Sequence, residues 1–140
     1  MAKIKIAVAG CLGRMGQELS KQIINNNKLE FVGGFEHKKH KDINKQFKIV
    51  SEISSTKLID SNPTISIKSA SVLIDFTTPQ STLENVKIAS QNKTAVIIGT
   101  TGMTEPQKNK VKSYAKKIPI LMSSNMSLGV NLLFNLVQQT

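Results

Sequence analysis

A buried strand that breaks into three closely spaced glycines leaves a chain few ways to fold. Lys3–Ala9 begins with alternation and becomes continuously apolar, as a strand covered on both faces of a parallel sheet does. It ends at Gly10, Gly13 and Gly16. A helical pattern follows, with Met15, Leu19 and Ile23 recurring at spacings of four and Ile24 beside them, until Asn25-Asn26-Asn27 stops it. Leu29–Phe35 then reads as a second short strand, closed by Glu36. The order is strand, glycine turn, helix, strand, acid.

The remaining chain repeats that alternation. His37–Lys48 is polar and charge-dense and predicts a surface loop. Within 49–70 the pattern is ambiguous, with a candidate strand near Ile49–Ile53 and a turn at Asn62-Pro63. Val72–Phe76 predicts a buried strand, and Thr78-Pro79 suits a helix start because proline at the first helical position needs no donor. Leu83, Val86 and Ala89 give that helix its apolar stripe. Ala95–Ile98 is the next strand, and Thr104-Glu105-Pro106-Gln107 has capping-box spacing at the head of a Lys-rich helix reaching about Lys117. Ile118–Met122 predicts a final strand, and 127–139 a helix with Leu128, Leu132, Leu133, Leu136 and Val137 on one face. Strands alternating with helices imply right-handed crossovers, so the expected fold is a doubly wound α/β domain, a mostly parallel sheet with helices on both faces.

Composition removes several alternatives. The chain has 140 residues and 39% apolar content, enough for one domain with a real core. No apolar run approaches the roughly 18 residues of a membrane span, and no partnership with a membrane is expected. One cysteine builds neither a disulfide framework nor a cysteine-based zinc site, which points to a reducing, cytoplasmic setting. No metal site is expected, since His37 and His40 share a polar loop without further ligands. The formal charge of +10 raises the question of nucleic acid, but every basic residue except Arg14 is Lys, and aromatics are only 4%. A solvated Lys-rich surface is the expectation, and no nucleic-acid partner.

The glycines carry the chemistry. Gly10-x-x-Gly13-x-x-Gly16 departs by one residue from the dinucleotide fingerprint, yet meets the same need for a tight turn, close backbone approach and helix N–H groups aimed at a pyrophosphate. Alone it would mark only a turn. Glu36, 20 residues beyond Gly16, stands where an acid accepts hydrogen bonds from the adenosine ribose. Arg14 lies inside the turn, where its planar fork suits a phosphate. His37, Lys38 and Lys39 supply charge for a 2′-phosphate or belong to the solvated loop, leaving NADH and NADPH both open. Polar or glycine clusters also follow Phe76, at Gly99–Gly102 and at Ser123–Asn125, all on the carboxyl edge where ligands bind in open parallel sheets. Gly99-Thr100-Thr101-Gly102 offers N–H groups and hydroxyls to a nicotinamide ribose or ring. Cys11 reads as a small residue in a crowded turn, with a helix-mouth position that leaves thiol reactivity open. Asp75 is expected to bond locally at its strand end.

Five motifs in this order resemble the amino-terminal domain of the dihydrodipicolinate reductase (4-hydroxy-tetrahydrodipicolinate reductase) family. They are VAGCLGRMG at Val8–Gly16, FE at Phe35–Glu36, IDFTTP at Ile74–Pro79, IGTTGM at Ile98–Met103 and SSNMSLGVNL at Ser123–Leu132. The resemblance implies that Gly10, Cys11, Leu12, Gly13, Arg14 and Met15 hold the pyrophosphate of NADH or NADPH, and Glu36 the ribose. It assigns Gly99, Thr100 and Thr101, with Ser123, Ser124, Asn125 and Met126, to the nicotinamide half. His37 stands where the family often has Arg facing a 2′-phosphate, Thr78 where some members carry Arg, and Met126 in place of the more usual Phe.

The resemblance also implies what this chain would not do alone. The family's dicarboxylate substrate and proton donor belong to a second domain with a His-His-x-x-Lys…Ser-Gly-Thr region, absent here. The expected organisation is a dinucleotide-binding domain over 1–126, with 127–140 beginning a helix toward a substrate and tetramerisation domain. No catalytic residue is expected in this chain, which would be an inactive fragment and a monomer, the homotetramer belonging to the full-length enzyme of lysine and diaminopimelate synthesis. The alternative is a stand-alone NAD(P)-sensing module that docks a partner through the apolar face of its last helix.

Overall fold

The computed structural model describes residues 1–140 apart from Glu52, Ser124 and Thr140, and leaves the side chains of Ile49 and Gln139 undescribed. The elements run β1 (Ile4–Ala9), α1 (Arg14–Ile24), β2 (Leu29–Phe35), α2 (Phe47–Val50), β3 (Ile59–Asp60), α3 (Pro63–Lys68), β4 (Val72–Asp75), α4 (Pro79–Asn92), β5 (Ala95–Ile98), α5 (Glu105–Tyr114), β6 (Ile120–Met122) and α6 (Leu128–Gln139). The six strands form one sheet in the order β3-β2-β1-β4-β5-β6, and every neighbouring pair is parallel. This is the doubly wound order, which reverses direction between β1 and β4 and opens a crevice there at the carboxyl edge.

Alternation along β1 sorts the core into two layers. Ala7 and Ala9 face a cluster with Leu73, Val86, Ala89, Val96 and Val111, under α3, α4 and α5. Ile6 and Val8 face the opposite cluster with Cys11, Ile23, Phe31, Phe47 and Ile59, under α1 and α2. Both faces of the central strand are therefore dry, which accounts for its unbroken apolar run.

Local chemistry sets the helix starts. Thr78 caps α4 by accepting from the Ser81 amide, and Thr104 with Gln107 forms the reciprocal capping box of α5. Asn62-Pro63, read above as a turn, is instead the start of α3, where the Asn62 carboxamide oxygen accepts from Thr64 N at 3.0 Å. An Asx-Pro pair fits both readings, and Ile67 decides between them by burying its side chain in the core. Among the described residues of Ile49–Ile53 no strand is formed, Glu52 lying outside them. α2 occupies Phe47–Val50, and fully buried Phe47 packs edge-on against Phe31 with ring centroids 5.2 Å apart. Here one aromatic anchor outweighs local β propensity.

The buried side of α1 also differs from the apolar spacing. Met15 is exposed, whereas Gly16, Ser20 and Ile23 are buried, with Leu19 and Ile24 packed partly against them. The Ser20 hydroxyl satisfies itself on the Gly16 carbonyl at 2.7 Å, so small residues let the helix lie close to the sheet. A Cβ on Gly16 would run into the Gly10 carbonyl oxygen and stand 2.8 Å from Cys11 Cα. Gly16→Ala should therefore destabilise the fold by about 2–3 kcal/mol, the cost of overpacking a site that cannot relax, read from the midpoint of urea unfolding.

Candidate functional site

The turn after β1 is built around Gly10, whose φ of +63° is a left-handed conformation that suits glycine. Gly10 N and Cys11 N donate to the Phe35 carbonyl, and Gly13 N to the Gly10 carbonyl at 3.0 Å, which ties the turn to the end of β2. A Cβ on Gly10 would come within 2.9 Å of the Thr77 methyl, so the turn also presses on the loop after β4. Gly13 is the N-cap of α1 and supplies no side chain to its first amides. The first turn of α1 has no acidic residue, in contrast to the side-chain caps on α3, α4 and α5. The positive end of α1 is thus left available to an external anion.

Glu36 closes this arrangement. Its Oε2 accepts from Leu12 N at 3.3 Å and its Oε1 from His37 N at 3.0 Å, so the carboxylate is held against the glycine turn. The Glu36 amide donates to the Asp60 carbonyl, anchoring the segment to β3. Between these groups and the head of α4 runs a groove of about 760 Å³. Its lining comes from the glycine turn (Gly10, Gly13), the end of β2 and beyond (Phe35, Glu36, His37, Lys38), Ser61 and Pro63, and Phe76, Thr77, Thr78, Ser81, Glu84 and Asn85 around the head of α4.

Several residues of this groove lie outside the sequence expectation. Ser61 and Pro63 come from the segment whose elements were ambiguous. Ser81, Glu84 and Asn85 lie on the first two turns of α4, where helical periodicity signals only a buried stripe. Thr77 and Thr78 belong to the polar cluster after Phe76 that the sequence places on the ligand edge, although it assigns neither a contact there.

The other expected residues fall into three groups. Leu12 contributes its amide to Glu36, while Arg14 and Met15 open α1 with exposed side chains beside the turn. Gly99, Thr100 and Thr101 follow β5 on the same edge, beyond the groove's lining. Thr101 is exposed, but Thr100 is buried and its hydroxyl meets Thr82 Oγ1 at 2.8 Å, so it points into the fold. Gly99 lies under the Phe76 ring, which leaves no room for a Cβ. Ser123 and Asn125 bond each other after β6, Ser123 Oγ donating to the Asn125 carbonyl at 2.9 Å, and Met126 is exposed. Ser124 lies outside the described residues.

Cys11 corrects the reactivity left open by its position. The side chain is fully buried against Gly34 and the Phe47 ring. Burial pushes the thiol pKa far above its ordinary value, and the Glu36 and Asp60 carboxylates push it further the same way. Desolvation overrides the helix dipole. Its backbone, not its sulfur, faces the turn. Among the described residues no group of three or more His, Cys, Asp or Glu side chains could hold a metal ion, and no helix is long and apolar enough to cross a membrane.

Residues 4–126 match the family model described as dihydrodipicolinate reductase, N-terminus. The chain belongs to this family. Among curated relatives, the 4-hydroxy-tetrahydrodipicolinate reductase of Pelagibacter ubique is 44% identical over the whole chain, and that of Buchnera aphidicola is 39% identical over 139 residues. The chain spans about half the length of these relatives, 50% and 52% respectively. A solved dihydrodipicolinate reductase from Paenisporosarcina, determined with dipicolinate bound, superposes with a TM-score of 0.78 at 26% identity, over 98% of this chain and 53% of that one. A scyllo-inositol dehydrogenase from Lactobacillus casei, 13% identical with a TM-score of 0.72 over 99% of this chain and 42% of that one, shares the fold. The family's amino-terminal part is a nucleotide-binding Rossmann domain, and the glycine turn, Glu36 and the groove lie at the switch point where that fold places its ligand.

The buried thiol gives a direct check of the turn. In the native protein at pH 8, Cys11 should react with a thiol-specific disulfide reagent at least about a hundredfold more slowly than in urea, because attack requires an exposed thiolate. Stopped-flow absorbance in the two states measures the ratio.

Proposed function

We propose that the chain is the NAD(P)H-binding half of a 4-hydroxy-tetrahydrodipicolinate reductase, serving diaminopimelate and lysine biosynthesis in the cytoplasm. The observation that carries this reading is the Glu36 carboxylate bonded to the glycine-turn amide of Leu12, beside a helix N-terminus without a capping side chain. That pairing sets a ribose acceptor and an anion site side by side. When bound, the cofactor supplies a hydride, which reduces the cyclic dicarboxylate substrate.

The residues of this chain bind and orient. The turn Gly10–Met15 holds the pyrophosphate through the helix-mouth amides of Arg14 and Met15, since those of Gly10, Cys11, Leu12 and Gly13 are bonded to Phe35, Glu36 and Gly10, and Arg14 adds a guanidinium there. Glu36 keeps acceptor capacity for the ribose hydroxyls beyond the two amides it already holds. Its negative charge favours a free 2′-hydroxyl, whereas Lys38, which with His37 also lines the groove, brings positive charge for a 2′-phosphate. The assignment is therefore NADH or NADPH. Gly99, Thr101, Ser123, Ser124, Asn125 and Met126 serve the nicotinamide end, with Thr100 contributing its backbone there.

Residues 1–126 form the dinucleotide-binding domain in this reading, and 127–140 begin the helix toward a substrate domain. α6 presents Leu128, Leu132, Leu133, Phe134 and Leu136 exposed, the surface such a domain would cover. The dicarboxylate and its proton donor belong to that second domain, so the 140-residue chain binds cofactor without turnover and stays monomeric, while the full enzyme is a homotetramer. A stand-alone NAD(P) sensor would use the same α6 face for a regulatory partner; a coding frame continuing past residue 140 into paired His and Ser-Gly-Thr motifs decides for the reductase.

Calorimetric titration with NADH and NADPH tests the cofactor reading. Glu36→Ala and Arg14→Ala should each weaken binding about tenfold, the scale of one lost charge-assisted hydrogen bond. Undiminished binding by both variants would sink it.

A further inference from the structure

The most deeply buried charged side chain of the ligand edge lies outside the groove's lining. Asp75, at the end of β4, is fully buried, yet it has no basic partner among its hydrogen bonds. Its Oδ1 accepts from Thr77 Oγ1 at 2.6 Å, from Thr77 N at 3.0 Å and from Thr100 Oγ1 at 3.4 Å, and its Oδ2 from Asn85 Nδ2 at 2.9 Å. Thr100 Oγ1 in turn accepts from Thr77 N at 3.1 Å and meets Thr82 Oγ1 at 2.8 Å. With Thr82 donating to Thr100 and Thr100 donating to Asp75, each hydroxyl proton has one acceptor.

This network reaches three segments that no local element joins: two turns and a helix. Through Thr77 it sets the methyl group that abuts Gly10 in the glycine turn. Through Thr100 it fixes the turn after β5, where the Phe76 ring also lies over Gly99. Through Asn85 it holds the head of α4, which lines the groove. Burying a carboxylate without a cation is costly, and four donors converging on it make the arrangement tolerable only in one geometry.

We propose that Asp75 is a positioning residue for the dinucleotide: it sets the nicotinamide-end turn, Gly99–Thr101, in register with the glycine turn, without touching the ligand. This rests on the cofactor reading above. The adenosine end is held by Glu36, whose carboxylate bonds the amides of Leu12 and His37 and no member of this network. A network that merely stabilised the fold would affect both ends equally; one that positions affects the nicotinamide end.

The test compares NADH with adenosine 5′-monophosphate, by calorimetry on the 140-residue chain. Thr77→Val keeps the methyl facing Gly10 and loses the hydroxyl, while Thr77→Ser keeps the hydroxyl. Thr77→Val and Thr100→Val should each weaken NADH about tenfold and leave adenosine monophosphate within about twofold, and Thr77→Ser should restore NADH affinity. Asp75→Asn, which turns two donors against each other, should show the same selective loss; if it does not fold, the threonine variants carry the test. Equal loss of both ligands, no loss of NADH, or no rescue by serine overturns the proposal. Wild-type protein that binds adenosine monophosphate but not NADH overturns it too, and failure to bind either ligand overturns the cofactor reading itself.

Discussion

The structure depends on how closely α1 approaches the turn that precedes it. Gly16 lies against the Gly10 carbonyl and the Cys11 backbone with no space for a side chain, which brings the helix axis onto the end of β1. With it go the inward Cys11 side chain, the commitment of the Gly10 and Cys11 amides to the Phe35 carbonyl, and the N-cap Gly13 at the groove's edge. The anion site and the buried thiol thus meet at one packing constraint.

Much of this is legible in the sequence. β1, α1, β2, β4, α4, β5 and α5 each carry a local signal, an apolar run, a helical spacing or a cap, and each forms within a few residues of its expected bounds. Glu36 was legible too, because its distance from Gly16 is fixed by one helix and one strand of ordinary length. The segment from Phe47 to Lys68 was not. Its short elements are held by single anchors, Phe47 against Phe31 and Ile67 in the core, and anchors of that kind exist only once the partners are assembled.

The site shows the same division. Turn residues and the ribose acid follow from backbone requirements that glycine and spacing report directly. Thr100 illustrates the limit: GTTG announces a polar turn, but nothing in it says which hydroxyl faces inward. That is set by Asp75 and Thr82, contributed by β4 and α4, and so by tertiary structure. Met15 fails for the opposite reason, since its spacing fits the buried stripe while Gly16, with no apolar side chain to announce it, takes the buried position.

The strand order has a consequence for how the protein is made. β1 lies at the centre of the sheet, yet its second partner is Val72–Asp75, far along the chain. During synthesis the central strand must wait, paired on one side at most, until β4 has emerged. Long-range parallel pairing of this kind is slow because loop closure precedes any reward. A nascent chain paused before β4 would expose an unsatisfied strand edge, the feature that chaperones cover and that otherwise seeds aggregation. The residues that make the central strand dry in the finished fold are therefore the ones most in need of protection while it forms.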